Sequence, residues 1–257
     1  MLTFRKISFA FVLTIVIQGF LSYFYAFSWF LILIPITIYI FFLVYGSAVI
    51  RFNFYLNSIS SKQTKQKIIA LTFDDGPDSK NTSKILDILA EYKLQACFFV
   101  IGEKVKKNPG ILKRIDSENH IIGNHTFSHS NYFSFYSKKK MTAELEKTEM
   151  EIFKVIGRKT KLFRPPYGVT NPTIKKTLAL FEYNIIGWNI RSFDTLKKSR
   201  ANILKRLQIR IKPGSIVLFH DTCPNINHYL KDFLNYVLKV NYEIIRLDQL
   251  LQVDAYE

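Results

Sequence analysis

A run of 44 residues near the amino terminus, from Ile7 to Ile50, contains no Asp, Glu, Lys or Arg. A helix that crosses a bilayer needs about 20 residues, so the run is long enough for two such helices joined by a turn. We expect that turn within Ser22–Trp29, where two tyrosines and a tryptophan are of the type that prefers a membrane interface. A cleaved signal peptide fits less well, because its apolar region has only about 7–15 residues. The sequence therefore predicts a multi-pass membrane segment, a transmembrane helical hairpin, over residues 1–50.

The charges on either side of this run bear on the orientation of the hairpin. Arg5 and Lys6 precede the run, Arg51 and three lysines up to position 67 follow it, and residues 21–30 contain no Lys or Arg. Because Lys and Arg are enriched in cytoplasmic flanks, this bias favours a cytoplasmic location for both ends of the hairpin and for the rest of the chain. The alternative is an extracytoplasmic domain, which requires the basic flanks to cross the membrane or the run to span it only once.

The net charge of +16 raises the question of a polyanionic partner. The Lys and Arg residues are scattered along polar faces, and no segment interleaves Arg with aromatic residues as nucleic-acid-binding segments do. We therefore expect a mostly solvated basic surface and no nucleic-acid partner, with Lys104–Lys107 and Lys138–Lys140 as candidate contacts with membrane lipid. The two cysteines, Cys97 and Cys223, are too few for a disulfide framework.

The remainder of the chain alternates between two apolar patterns. Segments typical of strands are Ile68–Phe73, Ala96–Ile101, His120–Gly123, Ile185–Trp188, Ser215–Phe219 and Glu243–Arg246. Segments typical of helices are Ser79–Tyr92, Pro109–Ser117 and Met141–Ile156. This alternation predicts an α/β domain built on a parallel sheet or barrel. We assign residues 51–66 to a polar linker and residues 67–257 to the domain.

Two adjacent carboxylates, Asp74 and Asp75, follow the first predicted strand and precede a Gly-Pro turn. Alone, this pair is typical of a polar turn that closes a strand. Consecutive strand residues point to opposite faces, so we expect the two side chains to diverge and to serve different purposes. Functional residues of parallel α/β folds gather where strands end, which makes the pair a candidate for a functional site.

His125 and His129 follow the strand predicted at 120–123. On a helical turn, this spacing places both imidazoles on one face, close enough to share a metal ion. A lone pair of this kind is more often structural, but a strand-end carboxylate would complete a His-His-carboxylate set that leaves positions for water. His120 and His228 have no such partners, and we expect both to be structural or surface residues.

Two further clusters carry groups that suit hydrolysis. The loop Phe163–Gly168 contains two prolines and presents Arg164, whose planar guanidinium is suited to bind a carboxylate bidentately. His220 ends an apolar strand, where a histidine alone is usually a core or cap residue. Together with the carboxylates and histidines above, these clusters supply a metal site, a base, an acid and an orienting arginine.

The segments TFDDGP, HTFSH, RPPYG and LFH, in this order, resemble the motifs of the polysaccharide deacetylases, the NodB-homology proteins of the carbohydrate esterase family 4 type. The resemblance covers about residues 67–250. It implies a distorted (β/α) barrel and the metal-dependent hydrolysis of N-acetyl groups on a sugar polymer. By motif position, it implies that Asp75, His125 and His129 hold one divalent ion, for which zinc is favoured and cobalt, nickel and manganese are alternatives.

The resemblance also implies roles for the residues around this ion. Asp74 would be the catalytic base, and Arg164 would hold it in place. The Tyr167 backbone N–H would contribute to an oxyanion hole, Leu218 would line the substrate pocket, and His220 would be the general acid.

One segment departs from the family pattern. Where the family has Asp-Ser-x-Asp-Trp, this chain has Arg-Ser-Phe-Asp-Thr at 191–195. Asp194 keeps the carboxylate that would orient the general acid, but Thr195 replaces the Trp that would wall the acetyl pocket. Trp188 and Phe193 are the candidates for a replacement wall, so the departure bears on substrate shape more than on chemistry.

The predicted protein is therefore a membrane-anchored, metal-dependent hydrolase that removes N-acetyl groups from an amino-sugar glycan or glycan precursor. A cytoplasmic domain would favour a lipid-linked or cytoplasmic precursor over wall polymer as the substrate. One alternative is an O-acetyl esterase that acts on a polysaccharide through the same site. The other is a catalytically silent glycan-binding membrane protein, although such a protein would be expected to lack a metal ligand or the base, and all of them are present.

Overall fold

The computed structural model of the protein describes residues 2–25, 28–196, 199–224 and 226–257. Its first two helices are α1 (Phe4–Phe24) and α2 (Leu33–Ala48), and a short 3₁₀ turn at Trp29–Ile32 leads into α2. The two helices pack against each other as a hairpin. The turn expected within Ser22–Trp29 includes residues 26 and 27, which lie outside the described residues.

Both N-terminal helices have the length and composition of membrane spans. The segments Phe4–Phe24 and Trp29–Ala48 have mean hydropathies of 1.9 and 2.2, and only 11% and 6% of these windows are buried. A core helix of a water-soluble domain would be mostly buried, so the exposed apolar faces of these helices require another apolar environment. Length and composition fit both a transmembrane hairpin and an N-terminal signal sequence.

Within the described residues, eight parallel strands form one sheet. They are β1 (Ile68–Asp74), β2 (Cys97–Val100), β3 (Ile121–Asn124), β4 (Leu162–Phe163), β5 (Asn184–Ile185), β6 (Ile190–Arg191), β7 (Ser215–His220) and β8 (Glu243–Ile244). Their order is β5-β4-β3-β2-β1-β7-β6, with β8 paired to β1, and every described strand pairing is parallel. No pairing among the described strands joins β5 to β6, so the sheet is an open, distorted barrel. The predicted α/β fold class is confirmed.

Helices flank this sheet and bury its apolar residues. They are α3 (Asn81–Glu91), α4 (Gly102–Lys107), α5 (Pro109–Ser117), α6 (Lys138–Ile156), α7 (Pro172–Leu178), α8 (Arg200–Arg210), α9 (Ile226–Lys239) and α10 (Leu247–Leu251). The fully buried rings of Phe98, Phe73 and Phe219 stack in a row across β2, β1 and β7, with centroids 5.0 and 5.7 Å apart. Burial of each ring stabilises the fold by about 1.5–3 kcal/mol, which gives β1 a rigid support for the residues at its end.

Three elements differ between the sequence prediction and the structure. The strand predicted at Ile185–Trp188 is instead the two-residue strand β5, followed by a single bridge from Ile186 to Ile59, and the chain rejoins the sheet at β6. Helix α4 was not predicted, because its six residues include three lysines and show little apolar periodicity. Strand β4 opens the loop that was predicted as irregular from Phe163 onward.

The segment 51–66, which was predicted as a polar linker, packs onto the domain. Phe54 and Leu56 are buried, and Ile59 forms a parallel bridge with Ile186. A Cβ on Gly187 would lie 2.2 Å from the Ser60 hydroxyl oxygen, so only glycine allows the segment to approach this closely. The segment therefore lies in the gap between the edges of the sheet. Its burial could not be predicted from the sequence, because its apolar residues are separated by polar ones and form no periodic pattern. The domain boundary at residue 67 stays a prediction.

Candidate active site

A cavity of about 150 Å³ opens where β1, β3 and β7 end. It is lined by Asp74, Asp75, His125, His129, Tyr167, Trp188, Arg191, Thr195, Leu218 and His220. Eight of the ten residues predicted for the site belong to this lining. The other two, Arg164 and Asp194, lie behind it and bind Asp74 and His220. The parallel sheet brings these groups together because it places the carboxyl ends of its strands on one rim.

Asp75, His125 and His129 have the geometry of a metal-ligand set. Asp75 Oδ1 lies 3.6 Å from His125 Nε2 and 3.3 Å from His129 Nε2, and one ligand atom from each residue lies within 4.8 Å of the others. The Arg164 carbonyl lies 2.7 Å from His125 Nδ1, so the ring donates there and presents Nε2 to the cavity. Burial, followed by repulsion from His129, lowers the pKa of His125 to about 3. Neutral imidazoles and a carboxylate are ligands that fit a divalent ion.

The two histidines do not lie on a helical turn, as their spacing had suggested. Residues 125–129 form a loop in which His129 has a φ of 47°, and this left-handed backbone turns its ring toward His125. The ring centroids are 4.8 Å apart. Glu144 on α6 holds the loop, because its carboxylate accepts hydrogen bonds from the backbone N–H groups of Phe127 and Ser128 at 3.1 and 2.8 Å.

The adjacent carboxylates do not diverge by strand alternation either. Strand β1 ends at Asp74, and Asp75 has a φ of 78°, which lies outside the extended region. As a result, both side chains face the same cavity: Asp74 Oδ2 lies 3.8 Å from His125 Nε2, close to the distance from Asp75. A non-glycine residue with positive φ costs free energy, and such residues cluster at functional sites. The pair therefore differs in what holds each carboxylate, and not in the direction that each faces.

Arg164 holds Asp74 through one hydrogen bond and not through the bidentate pair that we predicted. Its Nη1 donates to Asp74 Oδ1 at 2.6 Å and to Thr72 Oγ1 at 2.9 Å. Its Nε and Nη2 donate to the backbone carbonyls of Ile186 and Gly187 at 3.2 and 3.0 Å. The fully buried guanidinium thus ties β1 to the chain beyond β5, and the carboxylate is one of four acceptors.

Asp194 binds His220 at two points. Its Oδ1 lies 2.7 Å from His220 Nδ1, and its Oδ2 accepts the His220 backbone N–H at 2.8 Å. Burial acts to lower the pKa of His220, but the hydrogen bond and charge of Asp194, together with Asp74 and Asp75, outweigh it and raise the pKa. A proton on Nδ1 directs Nε2 toward the cavity, so the ring is oriented for proton transfer there.

Tyr167 and Trp188 form the wall of the cavity on the side of the RPPYG loop. Tyr167 has a φ of 59°, and its N–H donates to no acceptor among the described residues. Its hydroxyl binds Asn131, and its ring lies 4.8 Å from the ring of His129. Trp188 lines the cavity, whereas Phe193, the other candidate for a replacement wall, does not.

One carboxylate that sequence reasoning left without a role is buried beside the site. Asp221 accepts a hydrogen bond from the Thr82 hydroxyl at 2.6 Å, and burial raises the pKa of its carboxyl to about 8. A Cβ on Gly76 would lie 1.9 Å from Asp221 Oδ2, which explains why a glycine follows the two aspartates. The Asp after the LFH motif was the signal that could have indicated this contact.

A second cluster of possible metal ligands consists of Asp194, His220 and Cys223. In this cluster, the carboxylate already binds the imidazole through a hydrogen bond of 2.7 Å. Burial raises the pKa of the Cys223 thiol to about 12, so the thiolate that a metal would need is disfavoured. The Asp75, His125 and His129 set is therefore the better candidate metal site.

Comparisons with known proteins agree with this geometry. A family model described as polysaccharide deacetylase matches residues 61–186. The chain is 38% identical over 154 residues to a peptidoglycan-N-acetylglucosamine deacetylase of Bacillus cereus, an alignment that covers 60% of this chain and 56% of that protein. It is 31% identical over 207 residues to the peptidoglycan-N-acetylmuramic acid deacetylase PdaA of Bacillus subtilis, with 76% of this chain and 78% of that protein covered.

The fold agrees as well. The crystal structure of the peptidoglycan N-acetylglucosamine deacetylase Bc1960 aligns with a TM-score of 0.71 at 30% identity, covering 77% of this chain and 94% of that one. The chain spans little more than half the length of the Bacillus cereus relative, so the similarity concerns the domain with the four motifs. On the matched model, the shared fold and the extent of the similarity to PdaA, this chain belongs to the polysaccharide deacetylase family.

Proposed function

We propose that the protein is a metal-dependent hydrolase that removes N-acetyl groups from an amino-sugar glycan or glycan precursor. The observation that carries the proposal is the meeting of three units in one cavity. These units are the candidate metal ligands, a carboxylate held by a buried arginine, and a histidine held by an aspartate. The relatives named above act, by their names, on N-acetyl groups of peptidoglycan sugars, which supports this substrate class.

Asp75, His125 and His129 would hold one divalent ion. We favour zinc, because two neutral imidazole nitrogens and one carboxylate oxygen are a ligand set of catalytic zinc sites, while cobalt, nickel and manganese are alternatives. Such an ion, when bound, lowers the pKa of a coordinated water to about 7 and polarises an acyl oxygen.

The remaining steps belong to groups of the chain itself. Asp74 is proposed to accept the proton of the attacking water, since Arg164 fixes its Oδ1 and its Oδ2 borders the metal ligands. The Tyr167 N–H would donate to the acyl oxygen as negative charge builds up on it. His220 would protonate the nitrogen, because an amine leaves poorly without a proton, and the C–N bond would then break to give acetate and the free amino sugar. Leu218 would bound the pocket that receives the methyl group.

The test is acetate release from matched substrates. Purified protein loaded with zinc should release acetate from N-acetyl chitooligosaccharides, and Asp74→Asn should not release it at a comparable rate. A side-by-side assay on O-acetylated sugars tests the esterase alternative: faster release from the ester-linked than from the amide-linked acetyl group would overturn the amide preference. No release from any acetylated sugar would favour a catalytically silent glycan-binding protein.

We further propose that residues 1–50 hold the domain at a membrane. The basic flanks favour a cytoplasmic domain, for which a lipid-linked precursor is the expected substrate, whereas the relatives are named for peptidoglycan. Fusing a reporter that is active only in the cytoplasm, and separately one that is active only outside it, after Glu257 tests the orientation. A signal from the outside reporter alone would overturn the cytoplasmic assignment and favour wall polymer.

A further inference from the structure

A second cavity, of about 240 Å³, adjoins the candidate active site. The two cavities share Tyr167, Trp188 and Arg191 in their linings. Four arginines contribute to this second cavity, and we call it the arginine pocket: Arg51, Arg191, Arg206 and Arg210. Sequence reasoning treated these residues as part of a scattered basic surface, because they are separated in the chain and only the fold brings them together.

The positive charge of the arginine pocket is not paired with a carboxylate in the part of the chain that the structure describes. Among the described residues, no carboxylate lies within 4 Å of any of its four guanidinium groups. Arg191 and Arg206 lie over the ring of Phe193, with guanidinium carbons 5.2 and 4.2 Å from its centroid. Burial, followed by repulsion from Arg210 and Arg191, lowers the pKa of Arg206. Like charges held this close together destabilise the fold, so an anion that entered the pocket would relieve a cost already present.

One buried donor of an arginine in this pocket has no partner among the described residues. The Arg191 Nε is buried and makes no hydrogen bond among the described residues. Leaving a buried donor unsatisfied costs about 1–3 kcal/mol, and more for a charged group, so native structures rarely do so without a ligand or water. Arg191 also lines the candidate active site, so this donor belongs to the residue that joins the two cavities.

Phosphate is the anion that fits this arrangement. A guanidinium fork matches phosphate oxygens bidentately, and a single carboxylate would need only one of the four arginines. The lining of the arginine pocket also includes Ala48, Val49 and Ile50, where the apolar hairpin ends. In a membrane, lipid phosphates lie in the interfacial layer just outside the hydrocarbon core, at the depth where an apolar helix ends.

We infer that the arginine pocket binds the phosphate or pyrophosphate that links an amino sugar to a lipid, and that the sugar of this lipid-linked substrate enters the adjoining catalytic cavity. This inference rests on the proposed function for the reaction and on the pocket alone for the binding. A membrane phospholipid headgroup or free phosphate could occupy the same arginines. A substrate phosphate is favoured because the pocket adjoins the catalytic cavity, with three residues lining both.

The experiment compares two lipid-linked sugars in detergent micelles, using the full chain. In one, N-acetylglucosamine is joined to farnesol through a pyrophosphate; in the other, it is joined directly by a glycosidic bond. The variant is Arg51→Gln combined with Arg210→Gln, because both side chains are exposed and neither makes a described hydrogen bond that the substitution would remove. The control is Lys205→Gln, which removes a positive charge from the same helix as Arg210 but outside the pocket.

The wild-type chain should show a higher kcat/KM for the pyrophosphate-linked sugar. The double variant should lose that preference by about tenfold or more, chiefly through KM, because two charge-assisted contacts are removed. Lys205→Gln should keep it, and neutral chitooligosaccharides should be hydrolysed equally by all three proteins. No preference in the wild type, or equal losses on both lipid-linked substrates, would overturn the inference.

Binding separates this inference from the proposed function and separates the sources of phosphate. If no acetate is released, the proposed function fails. Farnesyl phosphate should still bind the wild type about tenfold or more tightly than the double variant, whereas farnesol should bind both with the same affinity. Inorganic phosphate that binds as tightly as farnesyl phosphate would overturn the lipid-linked assignment. The lipid-linked assignment would also be overturned if the double variant lost affinity for phosphatidylglycerol vesicles but kept the preference for the pyrophosphate-linked sugar.

Discussion

Replacing Arg164 by lysine separates the charge of this residue from its hydrogen bonds. The fully buried guanidinium donates to four acceptors: Asp74 Oδ1, Thr72 Oγ1 and the carbonyl oxygens of Ile186 and Gly187. An ammonium group in the same space can bind Asp74 and Thr72, which one guanidinium nitrogen binds in the native chain. The carbonyls of Ile186 and Gly187, which the other two nitrogens bind, would then lose their donors.

The structure sets the magnitude of this effect. Each buried acceptor left without a donor costs about 1–3 kcal/mol, so Arg164→Lys should lower the free energy of unfolding by about 2–6 kcal/mol. Arg164→Met also removes the charge that pairs with Asp74. Because an unpaired buried carboxylate costs about 3–5 kcal/mol, this variant should be the less stable of the two.

Urea unfolding of the detergent-solubilised full chain measures this difference. The fluorescence of Trp188 is a suitable signal, since its ring lies 5.5 Å from the Arg164 guanidinium carbon. Arg200→Lys is the matched control: Arg200 is exposed and pairs with Asp232 at the surface, so the change should stay within about 0.5 kcal/mol. If Arg164→Lys cost no more than Arg200→Lys, the two carbonyl contacts would contribute nothing, and the reasoning would be refuted.

Four further results are expected. His125→Ala should remove most of the divalent ion, as elemental analysis would measure, because one of three ligands is lost; full retention would contradict the ligand assignment. Asp74→Asn should keep the ion but slow acetate release by about 10²–10⁴-fold, and near-normal turnover would assign the base to another group. Asp194→Asn and His220→Ala should each be slow, and the double variant little slower than the worse single variant; additive losses would show independent roles. Asp194 raises the pKa of His220, and the protonated ring is the proposed acid, so turnover should fall as the pH rises through that pKa. Asp194→Asn should move this alkaline limb to lower pH, and an unmoved limb would count against the pairing.

The positions of the candidate site residues followed from sequence because they stand where strands end. Asp74 and His220 are the last residues of β1 and β7, two strands in register at those positions, so their proximity is a property of the parallel sheet. The apolar runs that predict these strands thus also place the proposed base and the proposed acid on the same rim of the sheet.

The local geometry of the candidate site could not be predicted from the sequence, because it depends on backbone conformations that the residue types do not indicate. Asp75 and His129 both have positive φ, and each conformation turns a metal-ligand candidate into the cavity. Periodic patterns describe strands and helices only, so they suggested strand alternation for the first residue and a helical turn for the second. The arginine pocket was not predicted for a different reason. Arg51, Arg191 and Arg206 are distant in sequence, and only the tertiary fold makes them neighbours.

Contacts between the hairpin and the domain link the proposed membrane anchor to the candidate active site. The Ser47 carbonyl near the end of α2 accepts the Thr170 N–H at 3.0 Å, and the Ser47 hydroxyl donates to the Thr170 carbonyl at 2.8 Å. Thr170 is three residues from Tyr167, so the chain places the Tyr167 backbone within about 11 Å of this contact. The hairpin also covers Phe54, whose ring would clash with any side chain at Gly46, and removal of the hairpin as a signal sequence would expose this ring to water. These contacts favour a retained hairpin, and in a membrane such a hairpin would keep the candidate active site beside the lipid surface, where a lipid-linked sugar phosphate would be presented.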